Sequence, residues 1–280
     1  MKSTINCKGK ILSLDAPLVM GIINATPDSF YKGDLDAGVD GLTMIAEQML
    51  NDGADILDIG GQSTRPGSER IAADDELKRV LPVVESIHKK FPEAILSIDT
   101  YYSEVALAAV KAGASIVNDV SAGNMDSNML TTVADLGVPY VCMHMKGEPS
   151  TMQKEAKYDD IVREVLDFFI KKIDECKKAG INDIIIDPGF GFGKTIEHNF
   201  TLLKQLSVFS ITDQPILVGL SRKSTIWKTL GVNANEALNG TTALNMIALM
   251  NGASLLRVHD EKAAKEAIVL YQAYKKAPQK

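Results

Sequence analysis

The stretch "DIIIDPGFGFGKT", Asp183 to Thr195, passes from an isoleucine run to an aspartate, a glycine-rich loop and a Lys-Thr pair. Its end resembles that of a nucleotide-binding P-loop. A P-loop, however, needs glycine five residues before the Gly of Gly-Lys-Thr, and Pro188 stands there. Proline has no N–H to offer a phosphate. Gly189, Gly191 and Gly193 fall at every second position, which also excludes the dinucleotide fingerprint G-x-G-x-x-G. What remains is a buried strand that ends in a carboxylate, followed by a glycine-rich loop and the start of a helix.

That unit recurs along the chain. The strand candidates are "LVMGIIN" (18–24), "DILDIG" (55–60), "AILSID" (94–99), "SIVND" (115–119), "PYVCMH" (139–144), "DIIID" (183–187), "PILVGLS" (215–221) and "SLLRVH" (254–259). Each is nearly apolar throughout, as parallel strands covered on both faces must be. Amphipathic stretches fill the gaps. In 155–179, Ile161, Val165, Phe168, Phe169 and Ile173 recur at helical spacing between charged residues. After the seventh strand there is room for two helical pieces, 222–230 and 235–250. "DGAD" (52–55), "AGAS" (112–115) and "NGAS" (251–254) read as one joint used three times, a helix ending on glycine just before a strand.

Eight β–α units in about 250 residues predict a (β/α)8 TIM barrel of the α/β class; a doubly wound open sheet is the alternative for the same pattern. No composition break divides the chain. Residues 1–14, with "CKGK" as a turn, are expected to form a short hairpin outside the barrel, and residues 15–280 the single barrel domain.

Composition narrows the function classes. The chain has 280 residues, 45% hydrophobic and 24% charged, with net charge −6 and no long basic run, so nucleic acid is not expected as a partner. No apolar stretch approaches the roughly 20 residues of a membrane helix, and the start, "MKSTINCKGKILSL", has no signal-peptide core. Cys7, Cys142 and Cys176 form no C-x-x-C, which points to a reducing cytoplasm. The four histidines form no H-x-x-x-H pair, so a structural zinc site is not expected.

Chemistry in a barrel sits at the C-terminal ends of the strands. Those ends carry Asn24, "GGQSTRPGSE", Asp99, Asn118 with Asp119, Met143 with His144, Asp187, Ser221 to Lys223, and Arg257 with His259. One such residue could be a helix cap; a whole ring of them serves a site. Asp99, Asn118 and Asp187 suit the N–H edge of a flat heterocycle. Asn24, Arg257 and His259, from the strands where the barrel closes, suit a metal-bound anion. His144 reads as a hydrogen-bonded strand-end residue, and Lys194 as a solvated residue at a helix start.

"GIINATPDSF", "GGQSTRPGSE", "SIDT", "NDVSAG", "DPGFGFGKT", "GLSRKS" and "RVHD" occur in this order across about 240 residues. The ordered set resembles the dihydropteroate synthases of the pterin-binding TIM-barrel family. A corrinoid methyltransferase shares the pterin-holding Asp and Asn but has no use for the "STRPG", "SRK" and "RVH" segments. The resemblance implies that 4-aminobenzoate displaces pyrophosphate from 6-hydroxymethyl-7,8-dihydropterin diphosphate to give 7,8-dihydropteroate, with Mg2+. It implies that Asp99, Asn118, Asp187 and Lys223 hold the pterin, Asp99, Asp187 and Lys223 being catalytic, and that Met143, Phe192 and Gly219 shape its pocket. It places Asn24 on Mg2+, with Asn24, Thr64, Arg65, Arg257 and His259 around the diphosphate. Phe30, Thr64, Pro66, Phe192, Ser221 and Lys223 would receive the aminobenzoate. A homodimer through the late helices is implied as well, and "ALNMIALMNGASLL" is apolar enough to supply a face. Two departures stand out. "SFYKGD" places Lys32 where the family has Asp, so that either Asp34 substitutes or Lys32 contacts the diphosphate directly, and Gln62 replaces the glutamate of "GGEST".

Overall fold

In an extended strand, successive side chains point to opposite faces, so alternate residues of a barrel strand face the barrel interior and the surrounding helices. The computed structural model describes residues 3–26, 35–63, 68, 70–148, 151–152 and 155–278. An antiparallel hairpin, β1 (Thr4–Cys7) and β2 (Lys10–Ser13), comes first. Among the described residues eight parallel strands follow: β3 (Leu18–Asn24), β4 (Ile56–Gly60), β5 (Ile95–Asp99), β6 (Ile116–Asp119), β7 (Tyr140–Met143), β8 (Ile184–Asp187), β9 (Leu217–Val218) and β10 (Leu255–Val258). Between and after them run α1 (Leu35–Asn51), α2 (Ala73–Lys90), α3 (Ser103–Ala112), α4 (Met129–Leu136), α5 (Ile161–Ala179), α6 (Ile196–Lys204), α7 (Ser224–Leu230), α8 (Leu238–Met250) and α9 (Glu261–Lys276). The sheet order is β8-β7-β6-β5-β4-β3-β10-β9. A parallel bridge between Ile186 and Ile216, with the Ile186 N–H donating to the Pro215 carbonyl at 3.0 Å, joins the two ends into a barrel.

The alternation sorts the strand residues into two cores. Val19, Ile23, Leu57, Ile59, Leu96, Ile98 and Val117 face outward and pack with the helices. The opposite set, Leu18, Met20, Ile56, Ile95, Ile116, Val141, Ile185, Leu217 and Leu255, fills the interior at the N-terminal ends of the strands. Ile5 and Cys7 of the hairpin belong to this inner cluster. The hairpin expected as an appendage is therefore the floor of the barrel. Lys8 Nζ, donating to the Val110 carbonyl at 2.8 Å, and Lys10 Nζ, donating to the Pro92 carbonyl at 2.5 Å, pin its turn to the barrel.

The repeated joint is real in three dimensions. Ala54, Ala114 and Ala253 each donate a backbone N–H to a carbonyl five residues back, at 2.9, 2.9 and 3.0 Å. The glycine before each alanine has φ of +98°, +135° and +98°, a region from which a Cβ is largely excluded.

Two boundaries differ from the sequence reading. The helix expected over 155–179 begins only at Ile161, because the Asp160 side chain caps it by accepting from the Val162 and Arg163 N–H groups, both at 3.1 Å. The strand expected over 215–221 pairs only over 216–218, through the Ile216 bridge and the Leu217–Val218 ladder. Its continuation leaves the ladder to deliver Ser221 and Lys223 to the mouth.

Candidate active site

Followed upward from the apolar floor, the inward positions become polar. Above Ile56 comes Asp58, above Ile95 come Ser97 and Asp99, above Ile116 comes Asn118, above Ile185 comes Asp187, and above Leu255 comes Arg257. One strand face thus carries the floor of the core and the chemistry.

Asp58 is the residue that sequence reading missed. It is fully buried, and its Oδ2 accepts from Arg257 Nε at 2.6 Å and from Asn118 Nδ2 at 2.9 Å. Arg257 Nη2 donates in turn to Asp99 Oδ2 at 2.6 Å. Asp58 Oδ1 has no hydrogen-bond partner among the described residues. The signal was present: Asp58 shares the parity of Asp99 and stands mid-strand, where a carboxylate is costly unless paired. Burial pushes Asp99 up to about 7, against the pull of Arg257 and with the help of the Asp58 charge.

Asp187 Oδ1 accepts from the Gly189 N–H at 2.7 Å, tying the strand end to its own loop. Burial raises its carboxyl, and Lys223 opposes the rise. Lys223 Nζ donates to the Phe190 carbonyl at 2.6 Å and lies 4.8 Å from the centre of the Phe192 ring. Burial lowers this ammonium to about 8, while Asp187 pulls it back up. A Cβ placed on Gly219 would come 3.6 Å from Lys223 Nζ and 3.8 Å from Arg257 Cβ, so a larger side chain there would enter the space between the two cations. Met143 packs with Tyr101 and Val120, with Phe192 partly buried against them. Carboxyl groups and cations on one side and apolar side chains on the other are a chemistry that suits a flat polar ring.

The second side of the mouth gathers Asn24, exposed at the end of β3, with Ser221 and His259. Ser221 Oγ accepts the His259 backbone N–H at 3.2 Å and lies 3.1 Å from His259 Nδ1. A hydroxyl that donates to Nδ1 leaves Nε2–H as the free donor of the ring. Desolvation, with the Arg257 charge, holds His259 down to about 4 although its edge is open to solvent, so the ring is neutral at pH 7. Arg222 is turned away: Nε and Nη2 grip Asp260 at 2.8 and 2.6 Å. Its backbone, at φ +54°, takes the left-handed conformation that turns the chain between Ser221 and Lys223. Asp119 is likewise spent locally, accepting from the Tyr140 hydroxyl and from the Ser121 and Gly123 N–H groups, each at 2.7 Å.

Phe30, Lys32, Asp34, Thr64, Arg65 and Pro66 lie outside the described residues. The base of the Thr64 loop is described. Gln62 Oε1 accepts from the Tyr101 hydroxyl at 2.7 Å, and its Nε2 donates to buried Glu76 Oε2 at 3.3 Å. Thr100 Oγ1 donates to the same oxygen at 2.9 Å, and Arg79 Nη1 holds the Gly61 carbonyl at 2.9 Å. Burial pushes Glu76 from 4.5 up to about 7. Its contribution to stability is therefore complete below pH 4.5 and lost as the pH rises through about 7, a change of up to about 3 kcal/mol. Glu76→Gln should remove that dependence. Thermal melts of parent and variant at pH 5 and pH 8 should show the variant gaining on the parent at the higher pH.

Lys194 corrects an expectation. Instead of lying in solvent at the start of α6, it is buried, with Nζ 2.9 Å from Nδ1 of His144. His144 is the buried, hydrogen-bonded strand-end residue it was read as.

Comparison with known proteins follows the same outline. The family model of the pterin binding enzymes matches residues 20–259. Dihydropteroate synthase of Escherichia coli strain K12 is 44% identical over 268 residues, covering 95% of this chain and 94% of the relative. Among solved structures, Xanthomonas albilineans dihydropteroate synthase with 4-aminobenzoic acid superposes with a TM-score of 0.92 at 41% identity, covering 99% of this chain and 100% of the other. The same enzyme in complex with 7,8-dihydropteroate gives 0.88 at 40% identity, with 98% and 100% covered.

Proposed function

We infer the reaction from one premise: this chain belongs to the pterin-binding enzyme family. It is a transferase of folate synthesis with dihydropteroate synthase activity, joining 6-hydroxymethyl-7,8-dihydropterin diphosphate to 4-aminobenzoate and releasing pyrophosphate. The observation that carries this reading is the inward face itself, where Asp58, Asp99, Asn118, Asp187, Lys223 and Arg257 converge beside Met143 and Phe192.

Asp99, Asn118 and Asp187 accept from and donate to the edge of the pterin, and Lys223 donates to its carbonyl oxygen. The bond between the exocyclic carbon and the diphosphate oxygen breaks, and the electron pair leaves with the oxygen. Positive charge then spreads over the electron-rich dihydropterin. Three carboxyl groups against two cations, placed before the reaction starts, favour that cation. The aniline nitrogen of 4-aminobenzoate, neutral at pH 7, supplies the pair for the new C–N bond and then loses a proton. No strong general base is required.

Arg257, the Nε2–H of neutral His259, Asn24, Thr64 and Arg65 receive the diphosphate. Phe30, Thr64, Pro66, Phe192, Ser221 and Lys223 receive the aminobenzoate. Among the described residues no group of three or more His, Cys, Asp or Glu could hold a metal ion. A single exposed carboxamide oxygen, that of Asn24, fits a Mg2+ that keeps most of its waters and takes its other contacts from the substrate. Held there by Asn24, Mg2+ would supply charge neutralisation to the diphosphate.

Exposed apolar side chains on α8 and α9, among them Ile247, Met250, Leu270 and Tyr274, support a homodimer through these helices. No helix among the described residues is long and apolar enough to cross a membrane. The three cysteines are free and buried, which supports a cytoplasmic location.

The test is turnover: the pterin diphosphate, 4-aminobenzoate and Mg2+ with the purified protein should yield dihydropteroate and pyrophosphate in equal amounts. Absence of dihydropteroate overturns the reading. An order of binding follows from size. 4-Aminobenzoate is small, and free energy per ligand atom is capped, so its binding gains most from the charged contacts that Mg2+-diphosphate brings to the same site. Calorimetry should detect 4-aminobenzoate binding only after Mg2+-pyrophosphate is bound; equal affinity in both titrations would mean that the site is preformed.

A further inference from the structure

Lys194 completes the Gly-Lys-Thr sequence, and no step of the reaction uses it. Its side chain runs inward beneath the loop between β8 and α6. Nζ donates to the carbonyls of His144 (3.1 Å), Gly189 (3.0 Å) and Phe192 (2.9 Å) and lies 2.9 Å from His144 Nδ1. An ammonium has three N–H bonds and no lone pair, which matches the three carbonyls. Burial lowers the Lys194 ammonium to about 7 while Asp187 pulls it back up, and burial with the neighbouring Lys194 keeps the His144 ring neutral.

The loop is pressed onto the end of β7 closely enough to dictate its glycines. A Cβ on Gly189, at φ +68°, would collide with the His144 carbonyl oxygen, and one on Gly193, at φ +61°, would fall 2.7 Å from that of Lys146. Oxygens from two chain segments around one buried cation are the arrangement by which a bound metal ion organises a loop. Here the cation is covalently attached to the loop. With the Gly189 and Phe192 carbonyls held by Lys194, the Phe190 carbonyl is left for Lys223, which takes it at 2.6 Å. The Phe192 ring then lies 4.8 Å from the same ammonium.

We propose that Lys194 is a positioning residue for the pterin end of the site: its buried Nζ is the fixed donor on which the loop of residues 188–193 folds, and that fold sets the places of Lys223 and Phe192. The effect on turnover rests on the function proposed above; the effect on the loop does not.

Two variants test it. Lys194→Met removes charge and donors, while Lys194→Gln keeps two N–H donors and serves if the Met variant does not fold. Hydrogen exchange in the free protein should speed by about tenfold or more for residues 189–193, with residues 18–24 unchanged. In turnover, KM for the pterin diphosphate should rise by about tenfold or more, and KM for 4-aminobenzoate, which Phe192 and Lys223 also receive, should rise with it. A uniform structural loss would speed exchange in residues 18–24 as well. A folded variant with parent-like exchange in the loop, or with faster exchange and an unchanged pterin KM, overturns the proposal. If the parent itself shows no turnover, the function proposed above falls, and the exchange measurement still decides the role of Lys194.

Discussion

Asp58→Ala should be the most damaging single substitution in the barrel interior. Asp58 accepts from both Arg257 and Asn118 and is fully buried. Removing one partner of a buried pair costs about 3–5 kcal/mol, because the group left behind stays desolvated. Arg257 keeps Asp99 as a partner, which places the expected loss nearer the lower figure. With Arg257 and Asn118 no longer held, kcat/KM should fall on the order of 100-fold, the penalty for misplacing reacting groups by about 1 Å. A pH profile separates positioning from mere loss of stability. The Asp58 charge helps to raise Asp99 to about 7, so a limb of the profile that reports Asp99 should move to lower pH in the variant. Denaturant unfolding and the pH dependence of kcat/KM are the two measurements. An unchanged limb together with parent-like stability would remove Asp58 from the network.

Asp187→Asn is expected to weaken pterin binding by at least about tenfold. The carboxylate accepts the Gly189 N–H at 2.7 Å through one oxygen, and an asparagine oxygen can keep that bond. The other oxygen becomes an amide donor facing the N–H edge of the ring, and a buried mismatch of this kind costs about 1–3 kcal/mol. A second consequence has a definite sign. Lys223 sits at about 8 because burial lowers it and Asp187 resists the lowering. Without the carboxylate its pKa falls further, so pterin affinity, which should decline above about pH 8 in the parent, should decline from a lower pH in the variant. Calorimetric titration of the pterin across pH 6 to 9 checks both effects, and near-unchanged affinity at all pH values would take Asp187 out of the site.

Much of this site could be read from the chain because barrel strands obey two local rules. Strands buried on both faces must be apolar throughout, so a polar residue at a strand end marks itself. Alternation by two then assigns each residue to the helices or to the interior, and Asp99, Asn118, Asp187 and Arg257 fall on the interior set with the apolar floor. Asp58 obeys the same alternation and was passed over because it lies mid-strand, where the eye expects core.

The amino-acid sequence by itself determined the eight β–α units, the glycine joints and the ring of polar strand ends, because periodicity and chain punctuation are local. Only the tertiary structure decided partnership. Arg257 and Asp58 are 199 residues apart, and Lys194 and the His144 carbonyl are 50 apart. A lysine at a helix start can extend into water or turn inward, and both are compatible with its neighbours in sequence. What turned Lys194 inward is the convergence of three carbonyl oxygens from two segments on its Nζ, although burial still outweighs them and lowers its ammonium to about 7. The hairpin shows the same division: its turn is local, but that Ile5 and Cys7 close the barrel floor depends on the ring of interior residues that β3 to β10 assemble above them.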